Sequence, residues 1–186
     1  LNFCTVDLSA FYFDIRKDTL YCDPKESKKR QSTIILLNII LSSLLRWFAP
    51  ILSFTTEEIY RLIMNDDKSV HLSKFLNFPI RFKNKNLNQK WLELIKIRNV
   101  CNISIEEKRA SKEIGSSLEA GLKINLDKKF NDIIKDVDFS ELCITSSAEV
   151  SYLENSETKV QTTKAEGSKC PVCWKLSIDP CPRHSK

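Results

Sequence analysis

Four residues near the end of the chain have the types and spacing to hold a metal ion. Cys170, Cys173, Cys181 and His184 form a C-x2-C-x7-C-x2-H arrangement. A tight turn carrying two ligands is a knuckle, and two knuckles close a tetrahedral site. Thiolates are soft donors, so the pattern favours Zn2+ over magnesium or calcium. Pro171 and Pro182 help to fix the two turns. A lone C-x-x-C also suits a redox pair, but redox chemistry leaves Cys181 and His184 unexplained. Basic side chains surround the knuckles: Lys169, Lys175, Arg183 and Lys186. Trp174 follows directly and offers an aromatic face that either covers the site or stacks on a base.

No second chemistry is spelled elsewhere. The chain has only three glycines and neither a G-x-x-x-x-G-K nor a G-x-G-x-x-G pattern, so no phosphate cradle is expected and no catalytic residue is assigned. His71 stands alone in a polar stretch and receives no role. Charge is unevenly placed around a net of +5. Residues 81–112 carry nine Lys or Arg against three Glu, residues 127–157 three Lys against eight acids, and residues 159–186 six Lys or Arg against two acids. Two basic regions separated by an acidic one suit a polyanion met at two places.

The elements that must position these groups are mostly helical. Hydrophobic residues at 42% and charged residues at 28% indicate a globular chain. Residues 1–17 read as a helix with a wide aromatic face, begun in mid-pattern as a fragment would be. Residues 32–48 are apolar nearly all round, as a central helix wrapped by others is. The uncharged run there falls short of the roughly 18 residues of a membrane span. Thr55 and Glu58 form a capping box for a short helix reaching Met64. Trp91, Leu94, Ile95, Cys101 and Ile105 mark a long amphipathic helix over 88–112, which Gly115 breaks. Arg98 falls in its apolar seam, where a structural pairing is expected. Beyond it, 122–126 and 142–145 read as strands, 128–137 as a helix and 158–165 as a third strand. Cys4, Cys22, Cys101 and Cys143 are scattered and read as free, buried thiols in a reducing, cytoplasmic setting.

Several strings resemble known families. Arg46-Trp47-Phe48-Ala49-Pro50 followed by Phe54-Thr55 and Glu57-Glu58-Ile59 resembles the helical anticodon-binding bundle of class I aminoacyl-tRNA synthetases. Residues 98–102 (RNVCN), Ile105-Glu106, Arg109, Lys112 and the GSSLEA string of 115–120 resemble the C-terminal region of bacterial isoleucyl-tRNA synthetases. Ala165-Glu166-Gly167 leading to Cys170-Pro171-Val172-Cys173-Trp174 resembles the zinc finger that closes that family. There the intervening loop is often longer and the last pair is usually cysteines, so His184 departs from the pattern.

The resemblance implies a mainly α protein. A helical anticodon-binding bundle over 1–114 is followed by a small α+β domain over 115–165 and a zinc-binding finger over 166–186. It implies isoleucine tRNA and the catalytic domain of the same enzyme as partners, one structural Zn2+, a monomer, and no membrane. ATP and Mg2+ belong to the catalytic part, whose HIGH-type and KMSKS-type motifs do not occur here. Lys108, Arg109, Lys112, Lys169, Trp174, Lys175 and Arg183 are the candidate tRNA contacts. The competing readings are a stand-alone helical zinc module that binds a protein, and the anticodon domain of a related valine or leucine enzyme.

Overall fold

The computed structural model describes residues 1–64, 68–154 and 157–184. Lys186, expected beside the knuckles, lies outside them. The chain forms two compact units: Thr19–Lys83, and Leu1–Asp18 together with Asn84–Lys186.

The smaller unit is built on α2 (Lys28–Phe48) and α3 (Ser53–Met64), the helix α1 (Asp14–Cys22) leading into it. Ser27 caps α2 by accepting the Arg30 N–H at 3.4 Å, and Ala49–Pro50 ends it as the proline requires. The core is small: Leu45, Ala49, Tyr60 and Val70, with Leu41 and Ile59 against them. The expected wrapping of α2 is not found. Only Thr33, Ser43 and Leu45 of its 21 residues are buried, and Ile34, Ile35 and Leu36 are 42%, 61% and 42% exposed. Within the unit, among the described residues, its main packing partners are α3 and the 70–72 turn. By length and composition α2 passes for a membrane-crossing helix, a test that the core helix of a globular protein passes equally, while its uncharged run, bounded by Arg30 and Arg46, stays short of 18 residues as read from sequence. The Thr55–Glu58 capping box is also absent, because α3 already begins at Ser53. Its neighbour Glu57 is the residue at work: the carboxylate accepts the Ser69 hydroxyl at 2.8 Å and the Val70 N–H at 2.9 Å, holding that turn over the core.

The larger unit opens with Phe3–Phe13, wound as a π-helix, and is organised by α4 (Lys85–Ala110). Asn84 caps α4 by accepting the Leu87 N–H at 2.9 Å. Its buried face is Leu94, Ile97, Cys101 and Ile105. Ile97 takes the place expected of Ile95, which is 37% exposed. Gly115 does not end the helix. Lys112 does, in a left-handed conformation with φ 60°. Its N–H bonds the Arg109 carbonyl at 3.0 Å and the Glu113 N–H bonds the Lys108 carbonyl at 3.1 Å, the paired bonds of a Schellman turn. Where that motif usually has an apolar contact, Lys108 and Glu113 form an ion pair at 2.8 Å.

A three-stranded sheet lies against α4 in the order β2–β1–β3, with β1 (Ala120–Asp127) central, β2 (Ser147–Leu153) parallel to it and β3 (Lys159–Lys164) antiparallel. Leu122, Ile124 and Leu126 alternate into the core, as a half-buried strand must. Ser104 of α4 meets Thr162 of β3 hydroxyl to hydroxyl at 2.8 Å. The parallel pair needs a crossover. It is made of the short helices α5 (Asn131–Ile134) and α6 (Phe139–Leu142). The strand expected at 142–145 is therefore a helix end and a turn. Asp138 decides this, since its carboxylate accepts the Ser140 and Glu141 N–H groups at 2.8 and 3.2 Å and so starts α6. Cys101 and Cys143 are buried in this core, and their contact together with burial pushes the Cys143 thiol up. Cys4 and Cys22 are only half-buried, short of the expected burial.

Arg98 ties three segments together. Its Nε donates to the Leu142 carbonyl at 2.9 Å, its guanidinium carbon lies 5.3 Å from the Phe11 ring centroid, and Asp14 is 3.8 Å away. Phe11 also meets Trp91 edge to face at 5.9 Å. Next to this, Arg16 pairs with Glu141 at 2.6 Å. Arg98→Met removes the donor and strands the Leu142 carbonyl. The expected loss is about 2 kcal/mol, or roughly 4–8 °C in a thermal melt for a chain of this size.

Candidate metal centre

The first knuckle sits at the end of a short ribbon. Strands β4 (Ser168–Lys169) and β5 (Leu176–Ser177) pair antiparallel, with Ser168 opposite Ser177 and Lys169 opposite Leu176. The turn between them is closed by Cys170 N–H to the Lys175 carbonyl at 2.9 Å and Trp174 N–H to the Cys170 carbonyl at 3.0 Å. Trp174 is left-handed, with φ 64°. Gly167 enters the ribbon at φ 104°, where a Cβ would lie 2.0 Å from the Ser177 carbonyl oxygen. The second knuckle closes through His184 N–H to the Cys181 carbonyl at 3.1 Å.

The structure brings the four candidate ligands together, with all four donor atoms within 4.8 Å of one another. Cys173 Sγ and Cys181 Sγ are 3.8 Å apart, and His184 Nδ1 lies 3.5 Å from Cys170 Sγ and 3.3 Å from Cys181 Sγ. A tetrahedral zinc site with metal–sulfur bonds of about 2.3 Å and metal–nitrogen bonds of about 2.0–2.1 Å has sulfur–sulfur edges of about 3.8 Å and sulfur–nitrogen edges of about 3.6 Å. The three separations given lie within about 0.3 Å of these edges. Cys170 and Cys173 are buried; Cys181 and His184 are half-buried. The two buried thiols differ. The N–H groups of Cys173 and Val172 lower Cys170 to about 6, whereas burial raises Cys173 to about 11. A bound divalent ion would hold both as thiolates.

The finger is seated on the larger unit at separate points. Leu176 N–H donates to the Ser146 hydroxyl at 2.7 Å, and Ser146 donates in turn to the Leu118 carbonyl. Lys175 Nζ reaches the Ser140 hydroxyl and carbonyl at 3.4 and 3.5 Å. Arg183 pairs with Asp18. Ser140, Ser146 and Asp18 were not legible as seating residues, because their partners lie far away in sequence. Of the candidate tRNA contacts, Arg109 pairs with Glu106 at 2.7 Å and Lys108 with Glu113. Lys112 is exposed at the end of α4. Lys169 Nζ stands 5.1 Å from the ring centroid of Trp174, itself 58% exposed. The structure thus groups Lys169 and Trp174, while Lys175 and Arg183 face the larger unit's own residues.

Helices α2 to α4, the first strand and the residues before them match the family described as the anticodon-binding domain of tRNA ligase, over residues 1–126. The chain belongs to that family. Among curated proteins it is 64% identical to an isoleucine–tRNA ligase of Pelagibacter ubique over 185 residues, 100% of this chain and 20% of the relative. It is 40% identical to the isoleucine–tRNA ligase of Rhodopseudomonas palustris, over 94% of this chain and 19% of that protein. For that of Agrobacterium fabrum the figures are 39%, 96% and 20%. The chain therefore spans about a fifth of the length of these relatives.

Gly167→Ala should unseat the ribbon, since the added methyl meets backbone rather than a movable side chain. The strain of about 1–3 kcal/mol should speed amide exchange over 168–177 by roughly tenfold or more, with the helical circular dichroism unchanged. Unchanged exchange would mean that the ribbon tolerates a side chain there.

Proposed function

We propose that this chain is the tRNA-binding part of an isoleucine–tRNA ligase, acting in the cytoplasm as a monomer with the catalytic part of the same enzyme. The observation that carries the reading is 64% identity along the whole chain to an isoleucine–tRNA ligase. The parts divide as an anticodon-binding bundle over 1–114, an α+β domain over 115–165 and a finger over 166–186. Isoleucylation with ATP and Mg2+ would occur in the catalytic part, and this chain would position the tRNA for it. Lys108, Arg109, Lys112 and Lys169 would meet phosphates, which set affinity and register, while Lys175 and Arg183 would reach one only by exchanging their partners Ser140 and Asp18. Trp174 offers a face to an unpaired base.

One structural Zn2+ would close the finger through Cys170, Cys173, Cys181 and His184. Separations that match the edges of a zinc tetrahedron support this. So does the composition of the tail, whose apolar residues, Val172, Trp174, Leu176 and Ile178, are too few to hold it folded.

Two experiments test these statements. Binding of the chain to isoleucine tRNA, followed by fluorescence anisotropy, should weaken steeply with salt. Each phosphate contact adds roughly −0.7 to −0.9 to the slope of log affinity against log salt. Charge reversal at Lys108, Arg109 and Lys112 should flatten that slope, and the chain alone should show no isoleucine-dependent ATP–pyrophosphate exchange. Binding indifferent to salt and to these changes would favour a protein partner instead.

For the metal, His184→Ala should weaken zinc retention against a chelator and His184→Cys should preserve it. Chelation should release 168–184 while the helices persist. Zinc affinity unchanged in His184→Ala would remove His184 from the ligand set.

A further inference from the structure

We infer that Ser146 is a positioning residue, which seats the metal finger on the α+β core and so fixes the pose of the finger's RNA-facing groups; the last clause rests on the proposed tRNA-binding function. The hydroxyl stands between two backbone groups that it alone connects. A serine hydroxyl has one proton, so its two bonds here have a fixed sense. It donates to the Leu118 carbonyl, in the turn entering β1, and accepts the Leu176 N–H of β5 at 2.7 Å. Its own backbone N–H bonds the Ala120 carbonyl at 3.0 Å. Ser146 is thus held by the core at two points and grips the finger at a third.

The turn that presents Ser146 is built under strain. Ile144 has φ 57°, a conformation that a β-branched side chain rarely adopts. Thr145, fully buried, holds it there through its N–H to the Ser140 carbonyl at 2.9 Å and its hydroxyl to the Ser147 carbonyl at 3.2 Å. Without the reversal at Ile144 the chain would not turn from α6 into β2 with the 146 hydroxyl facing the finger. Helix α6, which leads into this turn, supplies Ser140, which meets Lys175 one residue before Leu176. None of these residues is a ligand of the metal cluster. Closing the finger and seating it are therefore separable events: the four ligands do the first, and Ser146 with its turn does the second.

The experiment uses the zinc-loaded full chain with Ser146→Ala. Zinc stoichiometry, and the visible absorption of a cobalt-substituted sample, should match the wild type, because the ligand set is intact. Exchange of the Leu176 amide, read by NMR, should quicken about tenfold, the effect of losing one part-buried acceptor. Affinity for isoleucine tRNA should fall about fivefold to tenfold on the same ground. Ser146→Thr, which keeps the hydroxyl, should restore both; Ser146→Val, of the same shape without it, should not. The Thr/Val pair decides the matter if the alanine variant fails to fold. Leu176 exchange that is unchanged in Ser146→Val overturns the proposal. So does faster exchange with unaltered tRNA affinity, provided that Cys170→Ser lowers that affinity. If the wild type itself does not bind isoleucine tRNA, it is the functional reading that fails. The exchange comparison then still decides whether Ser146 seats the finger.

Discussion

A guanidinium cannot be buried alone, and the larger unit is arranged around meeting that condition at Arg98. The side chain is 13% exposed, so most of its hydration is lost on folding and must be replaced. The replacements come from three places at once: a carbonyl at the end of α6, an aromatic face and a carboxylate from the N-terminal helix. Each supplier is itself pinned, Phe11 by Trp91, the α6 end by the Arg16–Glu141 pair and the Asp14 carboxylate by Lys17. An apolar side chain at 98 would fill the seam without dictating which carbonyl or ring lies opposite. The charge makes the arrangement specific, because any other docking of α6 on α4 leaves a donor unmet.

The tail solves the opposite problem. It has too little apolar surface to bury, so its order derives from ligation, from borrowed hydrogen bonds and from the Arg183–Asp18 pair. A two-residue ribbon has few internal bonds, and Gly167 and the left-handed Trp174 are needed merely to let it turn. The larger unit completes it by offering Ser140, Ser146 and Asp18 to three successive parts of the finger.

How much of this was legible follows from the range of the interaction concerned. The four metal-cluster residues could be read because their signal is local spacing. The long helices, the central strand 122–126 and the third strand were legible from periodicity, whereas the helix expected over 128–137 is a 3-10 turn, Lys128–Phe130, and the four-residue α5. The strand expected at 142–145 was not, because a single capping carboxylate, Asp138, outweighs the β propensity of Cys143, Ile144 and Thr145. The end of α4 was misplaced because the left-handed residue is Lys112 and not the glycine three residues on. The all-round apolarity of α2 was read as burial, yet among the described residues it is matched chiefly by α3 and one turn. Seating residues such as Ser146 carry no sequence signal, since their meaning lies in a partner 30 residues away.

The bond between Arg98 and the Leu142 carbonyl also sets a clock. The two residues are separated by 44 positions. At a synthesis rate of about 5–20 residues per second, the later one follows the earlier by roughly 2–9 s. Phe11 and Asp14 emerge long before either. During that interval α4 can wind on the ribosome and offer the first part of its shell, but the guanidinium keeps its water until the crossover after β1 has been made. The closure of the larger unit therefore waits on the crossover that carries α5 and α6.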